Sequence, residues 1–348
     1  MNTREDIAYY AKYAANKCGL VAGQLEVTDD CFQHCRFCES WRERQASFRK
    51  LTHMPFELAT SIVVQLQRDF RHFEHLSLTG GDPQAWSYLP RFLRWFATST
   101  DGRLALQIST ALARDIEDVD LWRTVVNDVR LSLDAITPEV YQQRRGDKEN
   151  TPQKILDRVA ALAHPRFATI TTVGPDNVDE VPKIVEALDA LHLSGVPVRK
   201  MMFLPVLGKR AEGEDDQFWG RWAEYVSTYS FKEGPPTSFG ENPAAIRAEI
   251  KSPAGKAVRC WVGNIAFHIK PNGDYYACCL LGGEALPTNR EFKLGNVAQE
   301  DVYAIWQRYL PGLHYANCDC GCDQICQYKQ YQLNRAAERA FATRLAMP

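Results

Sequence analysis

The sequence turns on Cys31-Phe-Gln-His-Cys35-Arg-Phe-Cys38, three thiols within eight residues, directly after the extended run Gln24-Leu-Glu-Val-Thr28. The spacing C-x3-C-x2-C lets one loop wrap a cubane and ligate three of its four irons, because Cys thiolates are the usual ligands of iron–sulfur clusters. The fourth iron is left without a local thiolate and is free to bind another molecule. The same stretch offers Cys31, His34, Cys35 and Cys38, a Cys3His set of a type that zinc accepts. Spacing alone therefore leaves two metal chemistries open.

Working outward, the chain has 348 residues, enough for one large domain and a smaller one. With 45% hydrophobic and 24% charged residues, its balance is that of an ordinary globular protein. The net charge of −2 gives no electrostatic ground for a nucleic-acid or membrane partner. No apolar run approaches the ~18 residues of a spanning helix. The polar start, Met1-Asn-Thr-Arg-Glu-Asp, leads into no secretory h-region, so a cytoplasmic protein is expected. Eleven cysteines are many for that compartment, where disulfides are rare. Three lie at 31–38 and seven between 260 and 326, while Cys18 stands apart and reads as a small buried hydrophobe. Two groups separated by a Cys-free body read as two metal centres.

Residues 1–22 read as a helix. From 25 to about 207 extended and helical segments alternate. Strands are expected at Leu25–Thr28, His75–Thr79, Leu104–Ser109, Val129–Asp134, Phe167–Val173 and Val198–Val206. Helices are expected at Pro55–Asp69, Leu89–Phe96, Ile116–Val126, Pro152–Leu162 and Val178–Leu193, with Asn177 suiting an N-cap. This alternation predicts an α/β fold with a parallel sheet. Six strands predict a partial, open (β/α)6 barrel of the TIM type over residues 23–210. Loops at the C-terminal strand ends carry the site in such folds, and the three-Cys loop follows the first strand.

Residues 211–256 read as linker and helix. The aromatic-rich Gln217–Tyr229 is helical, and the Gly/Pro/Asn-rich Lys232–Pro243 is loop. Residues 257–330 read as a small Cys-rich module. It has a hairpin, Ile265–Ile269 and Asp274–Cys278, turning at Asn272-Gly273, and a short helix, Asp301–Tyr309. Residues 331–348 read as a charged helix.

A second motif, Leu76-Ser-Leu-Thr-Gly80-Gly81-Asp82-Pro83, closes the next strand. Two glycines there let the backbone approach a ligand closely. Together, the three-Cys loop, with Phe37 in the aromatic slot before its last Cys, and the Gly-Gly-Asp-Pro turn resemble the signatures of the radical S-adenosylmethionine (SAM) enzymes. In that family the open iron chelates SAM and a Gly-Gly-Glu-Pro turn holds its amino group. Here the acid is Asp82, one methylene shorter. Val129-Arg-Leu-Ser132-Leu-Asp134 with Tyr141-Gln-Gln-Arg144-Arg145-Gly146 looks like the family's strand and helix that reach the ribose and carboxylate of SAM. The resemblance puts Ser132, Asp134 and Arg145 at SAM, with Ser109 and Thr110 on the same rim.

Cys260, followed after twelve residues by Gly273 and after four more by Cys278, resembles the opening of the SPASM and Twitch extensions of this family. The resemblance implies that Cys326 closes a first auxiliary [4Fe–4S] cluster with Cys260 and Cys278. Cys318, Cys320 and Cys322 would serve a second cluster or complete the first. C-x-C-x-C is tighter than the family's usual spacing, and no cysteine follows Cys326. Zinc held by Cys318, Cys320, Cys322 and Cys326 is the rival reading of that run.

The implied activity is reductive cleavage of SAM to a 5′-deoxyadenosyl radical, followed by oxidation of a C–H bond. A peptide or protein is the first substrate expected, by cross-linking or dehydrogenation, with a flavodoxin or ferredoxin as external reductant. The 24 residues before the first strand are too few for a peptide-recognition domain, so a separate protein is expected to supply one. A dehydrogenase or epimerase of a sugar or aminocyclitol stands as the second reading. A non-catalytic iron–sulfur electron carrier is the third, and it has no use for a SAM turn.

Overall fold

The computed structural model of the protein describes residues 19–38, 51–205, 216–230, 232–239, 261–277, 293–309, 335–337 and 339–340. In chain order the elements are β1 (Ala22–Thr28), α1 (Phe56–Asp69), β2 (His75–Gly80), α2 (Leu89–Ser99), β3 (Ala105–Thr110), α3 (Val119–Val125), β4 (Asp128–Ser132), α4 (Pro138–Arg145), α5 (Pro152–Leu162), β5 (Phe167–Val173), α6 (Glu180–Leu193), β6 (Val198–Pro205), α7 (Asp216–Tyr229), β7 (Thr237–Phe239), β8 (Ala266–Ile269), β9 (Asp274–Tyr276), β10 (Lys293–Asn296) and α8 (Val302–Gln307). The described residues of Thr28–Thr52 and Leu78–Gly240 form one compact unit, here the barrel unit. Those of Met1–Val27, His53–Ser77 and Glu241–Pro348 form another, the terminal unit.

In the barrel unit, β3, β4, β5, β6 and β7 pair in that order, all parallel. The strand–helix alternation is the α/β partial barrel that the hydrophobic periods predict. Period two sorts the sheet into faces. Leu106, Ile108, Val129, Leu131 and Phe203 are fully buried, each contributing ~1.5–3 kcal/mol by leaving water. Their neighbours Gln107, Ser109, Arg130 and Met202 point the other way and are only half-buried.

Three local expectations are corrected. Lys232–Pro243, expected as loop, contains β7. Its three residues carry no periodic signal, and only pairing with β6, from Met201↔Thr237 to Phe203↔Phe239, makes them a strand. Phe239 stacks on Phe203 at 5.1 Å, and Trp222 of α7 meets its edge at 5.3 Å, so Trp222 is core, as is the buried Phe218 of the same helix. The helix expected from Ile116 starts at Val119, because the Asp118 side chain accepts the Leu121 N–H at 3.0 Å. Asn177 is no N-cap: it closes the turn after β5, accepting from Gly174 N at 2.7 Å and donating to the Asp134 carbonyl at 2.8 Å.

In the terminal unit the strand order is β10-β9-β8-β1-β2. β8 runs parallel to β1, from Ala22↔Ala266 to Leu25↔Ile269, and antiparallel to β9. The hairpin turns at Asn272-Gly273 as expected, with Gly273 at φ +88°. Helix α8 docks on α1: Val302 N donates to Gln65 Oε1 at 2.8 Å, and Trp306 meets the edge of Phe70 at 5.4 Å. The six cysteines expected as auxiliary ligands, Cys260, Cys278, Cys318, Cys320, Cys322 and Cys326, lie outside the described residues, as do Cys18 and residues 1–18 of the expected N-terminal helix. No helix among the described residues is long and apolar enough to cross a membrane.

Glu26 of β1 ties this hairpin down. Its carboxylate lies 2.8 Å from Lys270 Nζ and 3.1 Å from His268 Nε2. Burial alone would raise its pKa, but His268 and Lys270 hold it at about 2. The unfolded value, about 4.3, is higher, so the unfolded chain binds the extra proton in acid. The stabilisation, about 3 kcal/mol, is full above pH ~4.5 and is lost as the pH falls toward 2. Glu26→Gln is expected to lower the urea midpoint at pH 7, with its difference from the parent closing below pH ~4.5. A difference constant with pH would refute the ion-pair account.

Candidate active site

The loop after β1 is built by short-range bonds. Thr28 Oγ1 accepts from Asp30 N at 2.9 Å, Asp30 Oδ1 from Cys31 N at 2.8 Å, and Cys31 Sγ from Gln33 N at 3.4 Å. A turn closes with Cys38 N donating to the Cys35 carbonyl at 3.0 Å. Cys31, Cys35 and Cys38 are all free thiols, Cys35 the buried one. Burial, then the Asp82 carboxylate, pushes the Cys31 thiol up to about 12, and burial also raises Cys35. These shifts disfavour the thiolates of Cys31 and Cys35 in the bare loop, and metal binding, which takes thiolates, releases protons.

Backbone holds this loop on two sides. Gly81 N donates to the Thr28 carbonyl at 2.7 Å, and Asp82 N to that of Asp30 at 2.8 Å. A Cβ on Gly81 would collide with the carbonyls of Asp29 and Asp30, which is why the turn carries glycine there. On the other side, His34 N donates to the Arg145 carbonyl at 2.8 Å and Arg36 N to that of Arg144 at 2.9 Å. Gly146, at φ +59°, ends α4 where a Cβ would come within 2.8 Å of the His34 carbonyl.

Asp82 itself faces inward. Oδ1 accepts from Thr110 Oγ1 at 2.9 Å and Gln84 N at 3.0 Å, and Oδ2 from Ala111 N at 2.9 Å. Burial keeps its pKa above the ordinary carboxylate range even so. The carboxylate is a clamp between the ends of β2 and β3.

Arg145 is the hub of a buried polar network. Its guanidinium lies 2.6 Å from Asp134 Oδ2, off the line of a straight hydrogen bond. Nη1 donates to Gln33 Oε1 at 3.1 Å and to Cys35 Sγ at 3.7 Å. Gln33 Nε2 donates in turn to the Tyr141 hydroxyl at 2.7 Å and Asp147 Oδ2 at 3.1 Å. Asp134 Oδ1 accepts from Thr172 N at 2.8 Å. Burial alone would make Arg145 easier to deprotonate, but Asp134 holds it firmly charged. Beside it, Arg144 lies 4.8 Å over the Phe37 ring.

The donor set fits an iron–sulfur cluster: three unpaired thiols on one loop, with a buried N–H donor directed at one sulfur. Residues 25–188 match the family model of the radical SAM superfamily, and residues 260–311 match that of the SPASM iron–sulfur cluster-binding domain. The chain belongs to the radical SAM superfamily. Its cofactors are accordingly [4Fe–4S] clusters and SAM.

Solved structures share the fold. The crystal structure of Streptococcus suis SuiB has a TM-score of 0.64 at 13% identity, covering 83% of this chain and 66% of that one. SuiB bound to its precursor peptide SuiA scores 0.63 at 14% identity, over 83% and 65%. Native anSMEcpe with bound AdoMet scores 0.59 at 13% identity, over 94% and 100%. This radical SAM protein thus spans about two thirds of the length of SuiB. No match was found among curated proteins.

In this radical SAM protein, Cys31, Cys35, Cys38 and Phe37 follow β1 and Gly80, Gly81 and Asp82 close β2, on adjoining loops joined by backbone hydrogen bonds. Ser132 ends β4 and Ser109 is the penultimate residue of β3, both on the half-buried face. Arg145 and Asp134, expected at SAM, meet each other. Gln33 went unremarked in the sequence: a Gln between two cysteines has no signature, and its partners lie 108 and 114 residues away.

Proposed function

We propose that this protein is a radical SAM enzyme that oxidises a C–H bond of a peptide, with Cys31, Cys35 and Cys38 holding the SAM cluster. The observation that carries the reading is the three-thiol loop, clamped by backbone between the Gly80-Gly81 turn and the end of α4. When bound, the cluster supplies the electron that splits SAM into methionine and a 5′-deoxyadenosyl radical. The protein's own residues orient and shield. The Gly80–Asp82 turn meets the SAM amino group through backbone, since the Asp82 carboxylate is engaged with Thr110 and Ala111. Ser109 and Ser132 reach the nucleoside from the strand ends, with Phe37 beside the cluster. Arg145 directs an N–H at Cys35, and Asp134 holds Arg145 in place.

Cys260, Cys278 and Cys326, with Cys318, Cys320 and Cys322, would hold the auxiliary cluster, which would supply an electron acceptor or a substrate-binding iron. The last four lie beyond the matched SPASM residues. The fold shared with SuiB, seen with its precursor peptide, supports a peptide substrate. An external flavodoxin or ferredoxin, a separate peptide-recognition protein and a cytoplasmic setting complete the reading.

Reconstituted protein with dithionite and SAM is expected to release 5′-deoxyadenosine, and a synthetic peptide encoded beside the gene to lose two hydrogens by mass spectrometry. Absence of 5′-deoxyadenosine would leave an electron carrier. Gly81→Ala is expected to keep its iron yet weaken SAM binding by about tenfold or more in calorimetry, because the turn must move off Asp30.

A further inference from the structure

Parallel sheets normally bury both faces under helices, and their strands then read as continuous apolar runs. The barrel unit departs from this on one face, and the departure is sharpest at Arg130. Val129 and Leu131 on either side of it are fully buried, so Arg130 projects from the opposite, half-buried face. The register fixes its neighbours: Ser109↔Arg130, Arg130↔Ala168 and Ala168↔Lys200. One cross-strand row therefore carries Ser, Arg, Ala and Lys. At the usual strand spacing, Arg130 and Lys200 stand about 10 Å apart, with only the methyl group of Ala168 between them.

No carboxylate lies in that row. The nearest acid along β4, Asp128, is engaged by Arg166 and Arg199, each at 3.2 Å. Among the described residues the Arg130 side chain makes no hydrogen bond or ion pair. Its burial lowers its pKa below the ordinary arginine range, with the Asp128 charge opposing. A cation withdrawn from water without a partner is costly, and such groups are kept where a ligand completes them. The planar guanidinium fork matches a carboxylate through two parallel hydrogen bonds.

We infer that Arg130 is the anchor of a carboxylate subsite on the half-buried face of the sheet, which fixes an acidic group of the substrate. Ser132, on the same face, is two residues nearer the strand end, about 6–7 Å along the strand. An Asp or Glu side chain, or a peptide's C-terminal carboxylate, held at Arg130 lies within one side chain's length of the strand-end site. The substrate's identity as a peptide and the place of SAM rest on the proposed function; the anion subsite rests on Arg130 alone.

Calorimetry on the full, cluster-loaded chain in the presence of SAM tests this with four probes: succinate, Ac-Ala-Glu-Ala-NH2, Ac-Ala-Gln-Ala-NH2 and Ac-Ala-Ala-Ala-OH. Succinate is expected to bind the parent and to lose about tenfold or more in affinity in Arg130→Gln, with part regained in Arg130→Lys. The Glu peptide is expected to outbind the Gln peptide in the parent only. A preference for the free-acid peptide would instead assign the carboxylate to a C-terminus, within the same subsite. If succinate discriminates and no peptide binds, the subsite stands and the peptide reading falls. Equal succinate binding by parent and Arg130→Gln, or none by either, overturns the inference. So does weakened SAM affinity in Arg130→Gln, which would hand the residue to SAM. Unchanged circular dichroism and iron content show that the variants are folded.

Discussion

Cys35→Ala protein, reconstituted anaerobically, is expected to hold about four fewer iron atoms per chain than the parent and to release 5′-deoxyadenosine more than ~100-fold more slowly. Cys35 is the most buried of the three thiols, and two side chains converge on it: Arg145 Nη1 at 3.7 Å and Gln33 Oε1 at 3.9 Å. Removing one of three thiolates opens a second corner of the cluster, a larger loss than any supporting residue can cause, and those already reach ~100-fold. The fold should survive, since alanine deletes one small group from a loop otherwise held through backbone amides and carbonyls. Iron bound by the SPASM cysteines should remain, so the drop is partial, and Cys35→Ser is expected to fall between parent and alanine. Full iron content with normal 5′-deoxyadenosine in Cys35→Ala would remove the loop from the chemistry. Stoichiometric zinc without labile sulfide would replace the cluster with the Cys3His reading.

How far the sequence carried the reading depends on the range over which each feature is determined. The three-Cys loop and the Gly80-Gly81 turn are local, and both stand at strand ends. Pro152–Leu162 and Phe167–Val173 have the bounds their periodicity indicates, because a capped amphipathic helix and a buried strand are each set by their own residues. The direction of the Asp82 carboxylate is different. It follows from Thr110 and Ala111, 28 and 29 residues later, which no spacing rule connects to a turn. β7 exists because β6 offers an edge, and Gln33 matters because α4 delivers Tyr141 and Arg145 beside it. In each of these cases the deciding partner is brought in by the fold.

Arg145→Met is expected to lower the unfolding free energy of the cluster-free protein by about 3–5 kcal/mol, read as a fall in the urea midpoint. The substitution keeps length and apolar bulk but leaves Asp134, 0% exposed, as a buried carboxylate with only the Thr172 N–H on its other oxygen. Much of the loss is therefore the cost of an uncompensated charge, and it should reverse when the charge is removed. The double variant Arg145→Met with Asp134→Asn is expected to recover most of the midpoint. The cluster should respond differently. Both variants lack the N–H directed at the Cys35 sulfur, and such donors stabilise the more negative, reduced state. The reduction potential, followed by electron paramagnetic resonance, should therefore fall in the single variant and stay low in the double. If the double variant regains both stability and potential, Arg145 acts only by neutralising Asp134. If it regains neither, the Arg145–Asp134 pair is not what holds α4 to the loop, and Gln33 with Tyr141 and Asp147 carries that role instead.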